Sequence, residues 1–369
     1  MKLVICLSPG PWQTIIMGTS LRKIYSESFL KINRIVLINF VKEQQRQLEK
    51  ANKQLFDDLQ LWSEFYSFEI SGHGLDITEF NNFLIENNLK NADQIVLRST
   101  TFPVDKVMAC LQRKASLIIT EDGSQTWFKT ESVLPPKKKS DALAFKIKES
   151  AKHAIVDLIG INYRILPSPN SSRYFRKFST FPTKNSIDTV GPNWEELTKN
   201  DLHHVLERVN HKQRIQLDPK KFLVFLGGNF SEGRYLRPDE EYSLYYKHIT
   251  ELINLGFDVI YKPHPRANKM YDEYLELKIN SSRFSLMGNE GTFPIECLVN
   301  WTDQHIVVGA ITSSLWYLKK IYGIQCFTIF DEFYCSLISS RSSVMGKIAS
   351  ETISDIPYIE SLVVSKNSA

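Results

Sequence analysis

Short apolar runs of strand length recur along this chain with helix-length segments between them, and the pattern occurs twice. In the first third, "KLVICL" (residues 2–7), "RIVLINF" (34–40), "QIVLRS" (94–99) and "SLIIT" (116–120) are rich in β-branched residues, and helical segments fall near 44–59 and 103–114. Continuous apolar strands are buried on both faces, and strands joined through a helix run parallel. The alternation therefore predicts a parallel sheet covered by helices.

The second set opens at "KFLVFLGGNF" (221–230). The helix after it is well marked: Pro238 suits a first turn, residues 239–241 are acidic at the positive dipole end, Tyr242, Tyr245, Ile249, Leu252 and Ile253 form an apolar stripe, and Gly256 stops it. Strands follow at 257–262, 305–309 and 324–330, with a helix over about 313–322 between the last two. With 369 residues, 43% of them hydrophobic, the chain can fill two cores. The expected division is a first domain over 1–170, an aperiodic Pro/Asn/Ser-rich join over 171–220, and a second domain over 221–369 whose last helix is free to pack back on the first.

Composition narrows the function classes. A net charge of +4 is mild, and no RNP-like, zinc-finger or basic-zipper pattern accompanies it, so nucleic acid is not an expected partner. Cys6, Cys110, Cys297, Cys326 and Cys335 form no CxxC pair and read as small buried hydrophobes of a reducing compartment. No run reaches the roughly 18 apolar residues of a membrane span. The expected location is cytoplasmic. The basic stretch at 134–153 reads as a solvated loop and helix, with contact to the inner face of a membrane as the sharper alternative.

In open parallel sheets ligands bind beyond the carboxyl ends of strands, so the residues just after each predicted strand carry the chemistry. Three groups stand there. Glu121 and Asp122 follow the strand at 116–120, with Gly123 permitting a tight turn; the pair reads either as an ordinary turn or as a general base beside a second carboxylate. In "YKPHPRANK" (261–269), Lys262, His264 and Arg266 alternate around Pro263 and Pro265. On an extended backbone they project to one side and suit an anion such as phosphate; a plain His-Pro turn is the bland reading. Gly309, then Thr312, Ser313 and Ser314 opening a helix, offer hydroxyls and free N–H groups at a positive dipole end, or simply a helix cap supplied by Ser313.

The ordered set Glu-Asp-Gly, Lys-Pro-His-Pro and Ser-Ser, spanning Glu121 to Ser314, resembles the signature of bacterial sialyltransferases of the lipooligosaccharide and polysialic-acid type. The resemblance lies in short motifs and not in continuous sequence. It implies a GT-B fold, two Rossmann-like parallel-sheet domains facing a central cleft, with CMP-sialic acid as donor, inversion at the anomeric carbon and no metal or other cofactor. It further implies Glu121 as catalytic carboxylate with Asp122 as its acidic neighbour, and His264 with Ser313 and Ser314 on the CMP phosphate. Glu296 would hold the cytidine ribose, with Glu290 nearby as a rival. Lys262, Pro265, Arg266, Thr312, Gly227 and Gly228 would border the CMP-sugar. The implied acceptor is a bacterial surface glycan, a lipooligosaccharide or capsular glycolipid ending in galactose or sialic acid. The loop "SPGPWQ" (8–13) is a candidate for facing it, and a structural turn is the other reading. A Kdo or polyol-phosphate transferase on the same scaffold, and a non-catalytic sugar-nucleotide-binding protein, are the alternatives.

Overall fold

The structure, a computed structural model, describes residues 1–42, 46–70, 75–98, 103–121, 173–181, 194–209, 214–287 and 292–367. Asp122, Gly123, the basic stretch at 134–153 and Glu290 lie outside the described residues. The chain divides into two compact units, and among the described residues the change falls between Arg208 and Val209.

The first unit is built on a parallel sheet of strands β1 (Leu3–Ser8), β2 (Arg34–Lys42), β3 (Glu64–Ile70), β4 (Gln94–Leu97), β5 (Ser116–Thr120), β6 (Tyr174–Ser179) and β7 (Trp194–Glu196), in the order β3-β2-β1-β4-β5-β6-β7. Ile5, Val36, Ile95 and Leu117 lie on one face of the central strands and pack with Phe80 and Met108 into one apolar core. The order reverses between β1 and β4, which is the topology of a doubly wound sheet.

Three features of this unit were not legible in the sequence. Strand β3 is an edge strand with several partly exposed residues, so it lacks the continuous apolar run that marks a central parallel strand. The region read as an aperiodic join supplies β6 and β7 to the first sheet, followed by the helix Lys199–Leu206, which packs on the helix Pro11–Ile24. Strand β6 hides behind its charges. Arg176 pairs in a fork with Glu195 on β7, and the ammonium of the fully buried Lys177 lies 5.2 Å from the Tyr174 ring centroid and 5.9 Å from that of Trp194. Finally, the stretch at 8–13 is a helix entry and not a loop: Pro11 occupies the first turn of Pro11–Ile24. Ser8 there is buried, with its hydroxyl 2.7 Å from that of Thr14, which donates to Asn52 at 2.8 Å.

The second unit has a parallel sheet of β8 (Phe222–Leu226), β9 (Asp258–Lys262), β10 (Phe284–Leu286), β11 (Ile306–Gly309) and β12 (Gln325–Thr328), ordered β10-β9-β8-β11-β12. The helix anticipated from Pro238 runs Pro238–Asn254, and Gly256, at φ 91°, ends it in the left-handed conformation that glycine adopts without strain. All five cysteines are buried and free. No described helix is long and apolar enough to cross a membrane.

Candidate functional site

The register of the second sheet puts three of the sequence motifs side by side. Leu226 pairs with Lys262 on one side and Gly309 on the other, so β9, β8 and β11 end in one row. The row spans two interstrand spacings, roughly 10 Å. The loops bearing Gly227, His264 and Ser313 therefore leave the same end of the sheet as neighbours, where the sheet order reverses.

Close backbone approach explains the glycines. A Cβ on Gly309 would lie 2.9 Å from the Leu226 carbonyl oxygen, and one on Gly227 would lie 2.5 Å from the Tyr261 hydroxyl. The Gly227 N–H donates to the Lys262 carbonyl at 2.9 Å and the Gly228 N–H to the Tyr245 hydroxyl at 2.8 Å. Both amide hydrogens thus serve the fold, and Gly227 and Gly228 let the loop pack.

A buried carboxylate holds that loop. Glu241 accepts the backbone N–H of Phe230 at 3.3 Å, that of Ser231 at 2.7 Å and the Tyr245 hydroxyl at 2.6 Å. Sequence reading took Glu241 as a dipole residue and Tyr245 as apolar stripe; the hydroxyl hidden in that stripe is the signal missed. Asp272 does similar work beneath Lys262, accepting the Tyr261 hydroxyl at 3.1 Å, and burial pushes its carboxyl up to about 6. The loop at 263–268 is tied to its neighbour where Glu232 accepts the Asn268 N–H at 2.8 Å.

Lys262, Glu296 and Ser314 come together. Lys262 and Glu296 are both buried. Burial lowers the Lys262 ammonium to about 8, against the opposing pull of the Glu296 charge. Burial likewise raises the Glu296 carboxyl, opposed by its own backbone N–H, by the Ser314 hydroxyl that donates to it and by Lys262. Ser314 thereby directs its hydroxyl hydrogen at Glu296. The cap of helix Ser313–Tyr322 is Thr312, whose hydroxyl accepts the Ser314 N–H at 3.4 Å, so the capping role anticipated for Ser313 belongs to Thr312.

His264 is presented in one tautomer. Its Nδ1 accepts the Arg266 backbone N–H at 3.1 Å, which leaves the proton of the neutral ring on Nε2. Part of the ring surface remains exposed, yet the atoms packed around it, with the charges of Arg266 and Lys262, push the imidazole down to about 3. At neutral pH His264 is therefore an Nε2–H donor and not an imidazolium. Pro263 and Pro265 flank it in trans peptides, and Arg266 is exposed.

Glu121 belongs to the first unit. It directly follows β5, is 1% exposed, and its Oε2 accepts the Ser179 hydroxyl at 2.7 Å and the Thr180 N–H at 2.8 Å while Oε1 accepts the Thr180 hydroxyl. All three contacts suit an ionised carboxylate, which only accepts. Ser179 and Thr180 lie some 58 residues downstream, and nothing in the sequence near Glu121 announces them.

Several solved structures are similar. The Methanocaldococcus jannaschii UDP-GlcNAc 2-epimerase in complex with UDP-GlcNAc and UDP is 14% identical over 89% of this chain and 83% of that one, with a TM-score of 0.53. MnaA of S. aureus with UDP is 12% identical over 89% and 79%, at 0.52. The Neisseria meningitidis UDP-GlcNAc 2-epimerase bound to UDP-GlcNAc is 13% identical over 96% and 91%, at 0.51. At these identities the likeness shows the fold, two Rossmann-like parallel-sheet units of GT-B type. A search of curated proteins finds no match. The sequence model of the alpha-2,8-polysialyltransferase (POLYST) family matches residues 24–331, and the chain belongs to that family, a group of sialyltransferase-type glycosyltransferases.

Proposed function

We propose that the protein transfers sialic acid from CMP-sialic acid, with inversion and without metal, to the terminal sugar of a bacterial surface glycan. The observation that carries this reading is the convergence of Lys262, His264, Glu296 and the Ser313–Ser314 pair at the reversal point of the second sheet. The family's name favours a sialic acid acceptor and a 2,8 linkage over a galactose acceptor, and a sialyl donor over the Kdo and polyol-phosphate donors of related scaffolds.

In the proposed mechanism the bond from the anomeric carbon to the CMP phosphate oxygen breaks as an acceptor hydroxyl attacks from the opposite face. The leaving phosphate gains negative charge. His264 Nε2–H, the Lys262 ammonium and the Ser313 hydroxyl stabilise that charge, donors fixed in place before the reaction. Ser314, turned to Glu296, acts on the phosphate through its neighbours, and Glu296 keeps Lys262 charged and is placed to meet the ribose. Glu121 takes the proton of the acceptor hydroxyl, a contribution of about 10² to 10⁴ in rate. That role requires the hydroxyl to come within hydrogen-bond reach, so the covered carboxylate must be uncovered when the acceptor binds.

The test is product formation from CMP-Neu5Ac with a panel of galactosides and sialyl-galactosides, in EDTA. The expected result is sialylated product from the wild type and a loss of about 10² or more for His264→Ala. Consumption of CMP-Kdo or another donor with no release of CMP from CMP-Neu5Ac would overturn the donor assignment.

A further inference from the structure

The end of strand β6 is chemically unusual. Ser179 and Thr180 are 2% and 0% exposed, and their two hydroxyls and one backbone N–H all converge on one carboxylate, that of Glu121. The Ser179 hydroxyl also accepts the Phe181 N–H at 3.1 Å, which leaves its own hydrogen directed at Glu121. Strand pairing delivers these groups: Thr120 is in register with Phe178, so the residue after β5 meets the residues that end β6. Three donors on two oxygens fix the plane of a carboxylate and not merely its position.

We propose that Ser179 and Thr180 are positioning residues that hold Glu121 ionised and oriented as the general base. This rests on the reading of Glu121 given above. Donors to a carboxylate favour its charged form, so they keep the base available for the proton of the acceptor hydroxyl at the lower end of the working pH range. The proton balance is closed: it passes from the acceptor oxygen to Glu121 as the new bond to the anomeric carbon forms, and then to water when the site opens. The two side-chain donors can rotate as the charge is neutralised, and the Thr180 N–H remains.

The experiment measures CMP release from CMP-Neu5Ac with a sialylated acceptor across pH for the full chain and for Ser179→Ala, Thr180→Val, Thr180→Ser and Glu121→Gln, with unfolding midpoints taken alongside. Loss of a donor to the ionised form makes protonation easier, so activity is lost at a higher pH. Thr180→Val and Ser179→Ala are expected to lower kcat about tenfold and to move the acid limb of kcat/KM up by about one pH unit. Thr180→Ser, which keeps the hydroxyl, is expected to restore the wild-type limb. An acid limb unmoved in both Thr180→Val and Ser179→Ala, whether or not their midpoints fall, overturns the positioning role while leaving Glu121 as base. Turnover retained by Glu121→Gln overturns the general-base reading itself, and the positioning role with it.

Discussion

The two units place their chemistry in different ways. In the second, the residues that matter sit on short loops leaving adjacent strands, and a frame of buried side chains beneath them, Glu241, Tyr245, Tyr261 and Asp272, holds those loops in shape. In the first, one carboxylate leaves a strand end and is gripped by the end of the next strand, whose residues lie far downstream. The second unit builds a site from many weak contributors and the first from one strong one. Damage to the second should therefore be graded and spread over binding, whereas damage to the first should be steep and confined to the chemical step.

The largest graded effect is expected from His264→Ala. It removes the neutral Nε2–H donor, and kcat/KM for CMP-Neu5Ac should fall about 10² or more while the protein stays folded. A loss that appears only below pH 6 would instead mark His264 as a charged group, contrary to the direction in which its surroundings push it.

Lys262 should give the pH dependence. Its ammonium, held near 8 by burial, is present below that pH and is lost as pH rises through it. A phosphate monoester is fully charged above about 6. CMP affinity is thus expected to be greatest between about pH 6 and 8 and to fall above it, with proton uptake on binding in the alkaline limb. Lys262→Met should weaken CMP binding about tenfold at neutral pH and abolish the fall above pH 8, as calorimetry at several pH values would show. An alkaline limb that survives in Lys262→Met would assign it to another group.

Gly227→Ala separates framework from chemistry. The added Cβ meets the Tyr261 hydroxyl, which must shift, and a cost of about 1–3 kcal/mol in unfolding free energy is expected from denaturant titration. The smallest effect belongs to the first unit. Arg176→Met breaks a half-exposed fork with Glu195 and should cost about 0.2–1 kcal/mol with turnover intact.

The same contrast explains what was legible in the sequence. The second unit's motifs follow clear apolar strands, so Lys262, His264, Glu296 and Ser314 could be named together from strand ends alone, although which hydrogen goes where could not. Glu241 and Tyr245 escaped because a helix stripe read by hydropathy does not reveal a hydroxyl turned inward. In the first unit Glu121 was visible, but its partners were not. Strand β6 carries Arg176 and Lys177, satisfied by Glu195, Tyr174 and Trp194 across the sheet, and strand register is a tertiary fact that spacing along the chain does not encode.

The division of labour between the units is tested most directly by the dissociation constant of CMP for the wild type, Glu121→Gln and His264→Ala, measured by calorimetry at pH 7. Glu121→Gln is expected to bind CMP as the wild type does while its turnover collapses, and His264→Ala is expected to bind about tenfold more weakly or worse. Equal loss of CMP affinity in both variants, or undiminished affinity in His264→Ala, would contradict the assignment of nucleotide phosphate to the second unit and proton transfer to the first.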